Sequence, residues 1–175
     1  EIRTHELVAE SPGMAIADFV ESADGAMVMM SSHGHGRSAA VLGSATDDVL
    51  RRCFGPAIVV GPKADRATPR LDGEYVVGVD GSHRSETLLP FVEAWAIEFG
   101  GLPWIVEAVV NPRGSDPEVW GSTYPERLAR ELRERTGHPL ESEVVFGSRA
   151  ADAIVEFAAD RSASLIFATT HGRKG

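Results

Sequence analysis

Short apolar runs recur along this chain, each parted from the next by a stretch of helical periodicity, and few architectures satisfy both patterns at once. The runs are residues 26–30, 57–60, 75–79, 104–110 and 165–168. Runs this short read as strands buried in a sheet rather than as helices. Between them lie segments with apolar residues three and four positions apart. Ile16, Phe19 and Val20 lie in 13–22, and Leu88, Leu89, Val92, Trp95 and Ala96 lie in 85–99. Segments 44–54, 125–136 and 150–161 also read as helices, 141–146 as a further strand, and 6–9 as a short strand candidate. Strands that alternate with helices require right-handed crossovers and hence a parallel, doubly wound α/β sheet.

The pattern also repeats. Ala15-Ile16-Ala17-Asp18-Phe19 matches Ala153-Ile154-Val155-Glu156-Phe157 at an offset of 138, and the same offset places His33-Gly34 on His171-Gly172. In both copies a helix, an apolar strand and a small-small-His-Gly turn follow in order. The first copy continues into a Gly43-Ser44 turn, a helix and the strand 57–60, whereas the second is preceded by a long βα segment beginning at Glu74. Two tandem units are therefore expected: 1–63 as the carboxyl-terminal half of one, 64–73 as a linker, and 74–175 as a second unit without its last helix and strand.

Local signals fill in the elements. Ser44 is the expected N-cap of the helix 44–54, with Asp47 and Asp48 in its first turn, Arg51 and Arg52 in its last, and Gly55-Pro56 as its stop. Pro90 is an irregularity within 85–99, which Gly100-Gly101 ends. The charged run 126–135 reads as a solvated helix face, Trp95 and Trp104 as core, and Cys53 as a small buried hydrophobe. Trp120, in a polar stretch, reads either as a pocket cap or as exposed.

Two places carry chemistry. Ser31-Ser32-His33-Gly34 follows a strand, and Gly43-Ser44 opens a helix. A glycine lets backbone approach an anion, and free N–H groups at a helix start favour negative charge. Asp80-Gly81-Ser82 follows the strand 75–79. Its carboxylate has the chemistry to accept from ribose hydroxyls or to help hold a metal beside phosphates, or to start the next helix as an Asx-turn. His33, His35 and His171 lack the neighbouring carboxylates or thiolates of a metal site.

Val-Val-Gly-Val-Asp-Gly-Ser at 76–82, the segment 26–60 and Thr-Thr-His-Gly-Arg at 169–173 together resemble the universal stress protein family. The resemblance implies a five-stranded parallel sheet of Rossmann-like, adenine-nucleotide α-hydrolase-like type. It implies ATP, accompanied by Mg2+, as the ligand of nucleotide-binding members. By the same resemblance the nucleotide site comprises Gly34, Gly43 and Ser44 in the first unit and Asp80, Val109 and Gly172 in the second, with Val109 meeting adenine through its backbone. Two features depart from the family pattern: its first glycine is Ser31 in one unit and Thr169 in the other, and eight residues rather than nine separate Gly34 from Gly43. Pairing through the last strand, 57–60, is expected, either in a homodimer or between units.

Composition narrows the function classes. With 26 acidic and 17 basic residues the net charge is −9, which argues against binding a nucleic-acid backbone. No apolar run reaches membrane-spanning length and no signal peptide is visible, so a membrane role is not expected. The single cysteine fits a reducing, cytoplasmic setting. No nucleophile elbow, Walker lysine or carboxylate pair stands out, so the expectation is nucleotide-dependent regulation with at most slow ATP hydrolysis. The alternative is an interaction module that binds no nucleotide.

Overall fold

The computed structural model describes residues 2–32, 42–62, 64, 70–110 and 123–170. The chain divides into two compact units, 1–67 and 68–171.

In the first unit, helix α1 (Pro12–Glu21) leads to strand β1 (Val28–Ser31), and helix α2 (Ser44–Arg52) leads to strand β2 (Ala57–Val60). Ser11 caps α1 by accepting from the Met14 N–H at 3.2 Å, and Pro12 occupies the first turn, where its missing N–H is harmless. The strands pair in parallel from Val28↔Ala57 to Ser31↔Val60. The helices approach so closely that a Cβ on Gly13 would lie 2.4 Å from the Asp48 Cβ.

The second unit is a four-stranded parallel sheet in the order β5-β4-β3-β6. Its elements in sequence are β3 (Glu74–Val79), α3 (His83–Glu86), α4 (Leu89–Phe99), β4 (Leu102–Val110), α5 (Tyr124–Thr136), β5 (Glu141–Gly147), α6 (Ala150–Asp160) and β6 (Leu165–Phe167). Strand alternation sends Val77, Val79 and Ile105 to one face, where Leu89 and Val92 of α4 and Leu128, Ala129 and Leu132 of α5 bury them. Val76 and Val106 face the other way, onto Ala158, Ile154 and Phe157 of α6. Helices thus cover both faces, as the crossovers require. The repeated segments fold alike: Pro12, where α1 begins, is offset by 138 from Ala150, where α6 begins, and a strand follows each.

Several expectations change. Residues 6–9 form no strand. The described residues contain sheets of two and four strands rather than one of five. The strand expected at 26–30 starts at Val28, and Met29 within it is 67% exposed. The helix expected over 85–99 is split at Thr87-Leu88, since Pro90 has no N–H to extend α3 and instead sits in the first turn of α4. Gly43, not Ser44, is the N-cap of α2, and Ser44 is its first helical residue. Cys53 is only partly buried at the end of α2, where partial burial pushes its thiol pKa up and nearby Glu21 adds to the rise. Trp95 and Trp104 are likewise half-buried. The charged helix behaves as expected: Arg127 pairs with Glu131 at 3.1 Å on the exposed face of α5 while Leu128 and Leu132 are buried.

Candidate functional site

Strand order locates the site. From β3 the chain steps to β4 and then β5 on one side, and it returns to place β6 on the other side of β3. The carboxyl end of β3 is therefore a topological switch point, where neighbouring connections diverge and leave a crevice. Asp80 stands at that end.

Asp80 begins a compact turn. Its Oδ1 accepts from the Ser82 N–H at 3.0 Å and from the Ser82 hydroxyl at 2.6 Å. Ser82 in turn caps α3 by accepting from the Ser85 N–H at 3.1 Å. The Ser85 hydroxyl donates to the Ser82 carbonyl at 2.8 Å and accepts from the Asp80 N–H at 3.3 Å. Gly81 turns with φ at +76°, a conformation that favours glycine. The Asx-turn is thus formed, and it holds the Asp80 side chain at the exposed strand end.

Tyr124, at the start of α5, closes this cluster. Its hydroxyl donates to Glu86 Oε1 at 2.9 Å. Burial, reinforced by the Glu86 bond and charge, pushes its pKa up to about 12. The phenol therefore stays neutral and ties α5 to α3.

Val109 lies beside a step in the sheet. The register of β3 with β4 ends at Val79↔Glu107, whereas β4 continues with β5 to Val110↔Gly147. Residues 108–110 thus run on past the last β3 pairing, and the alternation that sends the Leu102 N–H to the Gly73 carbonyl turns the polar groups of Ala108 and Val110 to the β3 side and those of Val109 to β5. A planar heterocycle could hydrogen-bond there to main chain. Asp80 and Val109 are thus brought to one edge of one sheet.

Gly43 and Ser44 belong to the other unit. The Gly43 N–H donates to the Ser32 carbonyl at 2.8 Å, and the Thr46 hydroxyl donates to the Ser31 carbonyl at 3.1 Å. These bonds lash the end of β1 to the start of α2. Among the described residues no side chain caps α2, and its first turn carries the positive dipole end that attracts anions. Within this unit Gly43 and Ser44 adjoin the strand end as expected. Gly34 and Gly172 lie outside the described residues, as do His33, His35, His171 and Trp120. Among the described residues, no group of three or more His, Cys, Asp and Glu could hold a metal ion.

Sequence reasoning missed Thr46, Ser85, Glu86 and Tyr124. Ser82 and Ser85 have capping spacing, which is a usable local signal. Tyr124 and Glu86 are 38 residues apart in sequence, and nothing local pairs them.

Comparison with known proteins follows the same division. The model of the universal stress protein family matches residues 1–61 and 75–175. A universal stress protein from Archaeoglobus fulgidus DSM 4304 superposes with a TM-score of 0.68 at 19% identity, covering 89% of this chain and 54% of that one. The chain thus spans about half the length of that relative. A second universal stress protein from Archaeoglobus fulgidus is 25% identical, with a TM-score of 0.45 over 54% of this chain and 73% of that one. A universal stress protein in complex with cAMP is 21% identical, with a TM-score of 0.42 and the same coverages. The fold likeness rests on the first of these. No curated protein matches the sequence significantly.

Proposed function

The chain belongs to the universal stress protein family, and from that premise we propose that it is a regulatory protein that binds an adenine nucleotide, ATP with Mg2+, without substantial catalysis. One observation carries this reading: Asp80 and the overhang of β4 at Val109 meet at the switch point of the sheet. In this reading Val109 and its neighbours offer main-chain groups to the base, and Asp80 accepts from ribose hydroxyls. Asp80 has the wrong sign for phosphate, so in each unit by itself phosphate would fall to glycine-rich backbone and helix-start N–H groups, the candidates being Gly172 in the second unit and Gly34, Gly43 and Ser44 in the first. A described residue suited to act as a base or as a transition-state cation does not stand out, which is why hydrolysis is proposed to be slow.

The chain is further proposed to be a tandem member, with 1–63 the later half of one unit, 64–73 a linker and 74–175 most of a second. Support comes from the repeat and from the like folding of α1–β1 and α6–β6. Pairing through β2 and a cytoplasmic setting, consistent with the lone Cys53, belong to the same proposal.

Titration of the whole chain with Mg-ATP tests the reading. Saturable binding in the micromolar range, roughly −8 kcal/mol, is expected. No saturation at millimolar ATP would instead leave an interaction module that binds no nucleotide. That second reading draws on Ser31 and Thr169, whose Cβ atoms stand where nucleotide-binding members are expected to carry glycine.

A further inference from the structure

Glu107 interrupts the apolar strand β4 between Val106 and Ala108. In register it lies between Val79 of β3 and Val144 of β5. Strand alternation puts it on the face of Ile105, the face that α4 and α5 cover. One of its carboxylate oxygens, Oε2, is shielded from water and has no hydrogen-bond partner among the described residues. The residue as a whole remains partly exposed, so the carboxylate stands at the boundary between core and solvent.

A carboxylate oxygen in that position opposes folding unless something donates to it. A leucine would fill the same place on an apolar face without that cost. Glu107 is also the last β4 residue paired to β3, at the foot of the step where 108–110 continue beside β5 alone. Val109 is on the same face two residues on, about 6–7 Å along the strand, which a glutamate side chain can span. The main chain assigned above to the base is thus within reach of the orphaned acceptor.

We propose that Glu107 reads the base: its carboxylate accepts a hydrogen bond from the exocyclic amine of a 6-aminopurine lying against the β4 overhang. This assignment rests on the nucleotide reading above and sharpens it. A 6-oxopurine would set a carbonyl oxygen against the carboxylate, acceptor against acceptor. A site that leaves a buried polar group unpaired discriminates strongly against such an analogue.

The test compares ATP with inosine triphosphate, which lacks the amine, by calorimetric titration of the whole chain and of Glu107→Leu and Glu107→Gln. The unsubstituted chain should bind ATP roughly ten- to a hundredfold more tightly than inosine triphosphate. Glu107→Leu should bind both equally, with inosine triphosphate affinity unchanged or improved, and it should melt at a higher temperature without ligand. Glu107→Gln keeps an acceptor and should retain a reduced preference; it decides the matter if the leucine variant does not fold. Equal binding of the two nucleotides by the unsubstituted chain overturns the role of Glu107 and leaves nucleotide binding standing. A preference that survives in Glu107→Leu, or in Glu107→Gln at full strength, does the same, as does a lower melting temperature of the leucine variant. Binding of neither nucleotide by the unsubstituted chain overturns the nucleotide reading itself, and this assignment with it.

Discussion

Asp80 and Tyr124 show how much of the site depends on single hydrogen bonds. Asp80 both starts a turn and stands exposed at the carboxyl end of β3, so an alanine there would confuse loss of the turn with loss of the proposed site. Asparagine keeps the Asx-turn, because its amide oxygen can still accept from Ser82, but it loses the charge. Asp80→Asn should therefore fold normally and bind ATP about tenfold more weakly, the usual scale for a hydrogen bond to a charged group. Unchanged affinity would remove Asp80 from the site. For Tyr124 the consequence concerns stability. Its phenol has an ordinary pKa of 10 when unfolded and about 12 when folded. Below pH 10 it is neutral in both states and its contribution is fully present. Between 10 and 12 the unfolded chain releases the proton first, and that contribution is lost. Urea unfolding at pH 9 and pH 11.5 should show the native chain losing on the order of 1 kcal/mol more than Tyr124→Phe, a discounted figure because the ring is partly in water.

At the scale of elements, close approach outweighs intrinsic propensity. Gly13 lies inside α1, where alanine would ordinarily gain up to ~1 kcal/mol in helix propensity. Here a Cβ would fall 2.4 Å from Asp48 Cβ and 2.9 Å from the Ala45 carbonyl oxygen. Overpacking of this kind costs about 1–3 kcal/mol, so Gly13→Ala should destabilise the first unit, measured as earlier loss of helical signal in denaturant. A stabilised variant would show that the two helices are free to part. Pro90 illustrates a related local rule. Its position decides where α3 stops and α4 starts, because a residue without an N–H is tolerated only in a first turn.

For the whole molecule, the buried core is unevenly shared. Both described apolar clusters, around Ile105 and around Val106, lie in the second unit, whereas the first unit buries Ala17, Val28 and Val49. Regions with few buried apolar contacts open first. Amides of β1 and β2 should accordingly exchange with solvent faster than those of β3 and β4 by native-state hydrogen exchange. Equal protection would mean that the two units open as one. Among the described residues β2 has only β1 as a sheet neighbour, and Val60 at its end is 45% exposed. An unpaired edge invites a partner strand, so sedimentation is expected to give a dimer. A clean monomer at tens of micromolar would count against pairing through β2.

The parallel α/β class, the strand positions 57–60 and 74–79 to within a residue, and the turn that starts at Asp80 were legible in the sequence, because apolar runs, helical spacing and turn residues are local properties of the chain. The 138-residue repeat was legible for the same reason: like sequence forms like elements, and α1 and α6 begin at matching positions. The tertiary structure alone decided which strand lies beside which, and hence that β3 is the switch point. It alone revealed the bond from Tyr124 to Glu86 and the orphaned oxygen of Glu107. Those facts depend on contacts between residues far apart in sequence, and on which face of the sheet each side chain occupies once the helices cover it. Periodicity can state that a strand is buried. Only packing determines that a charge within it lacks a donor.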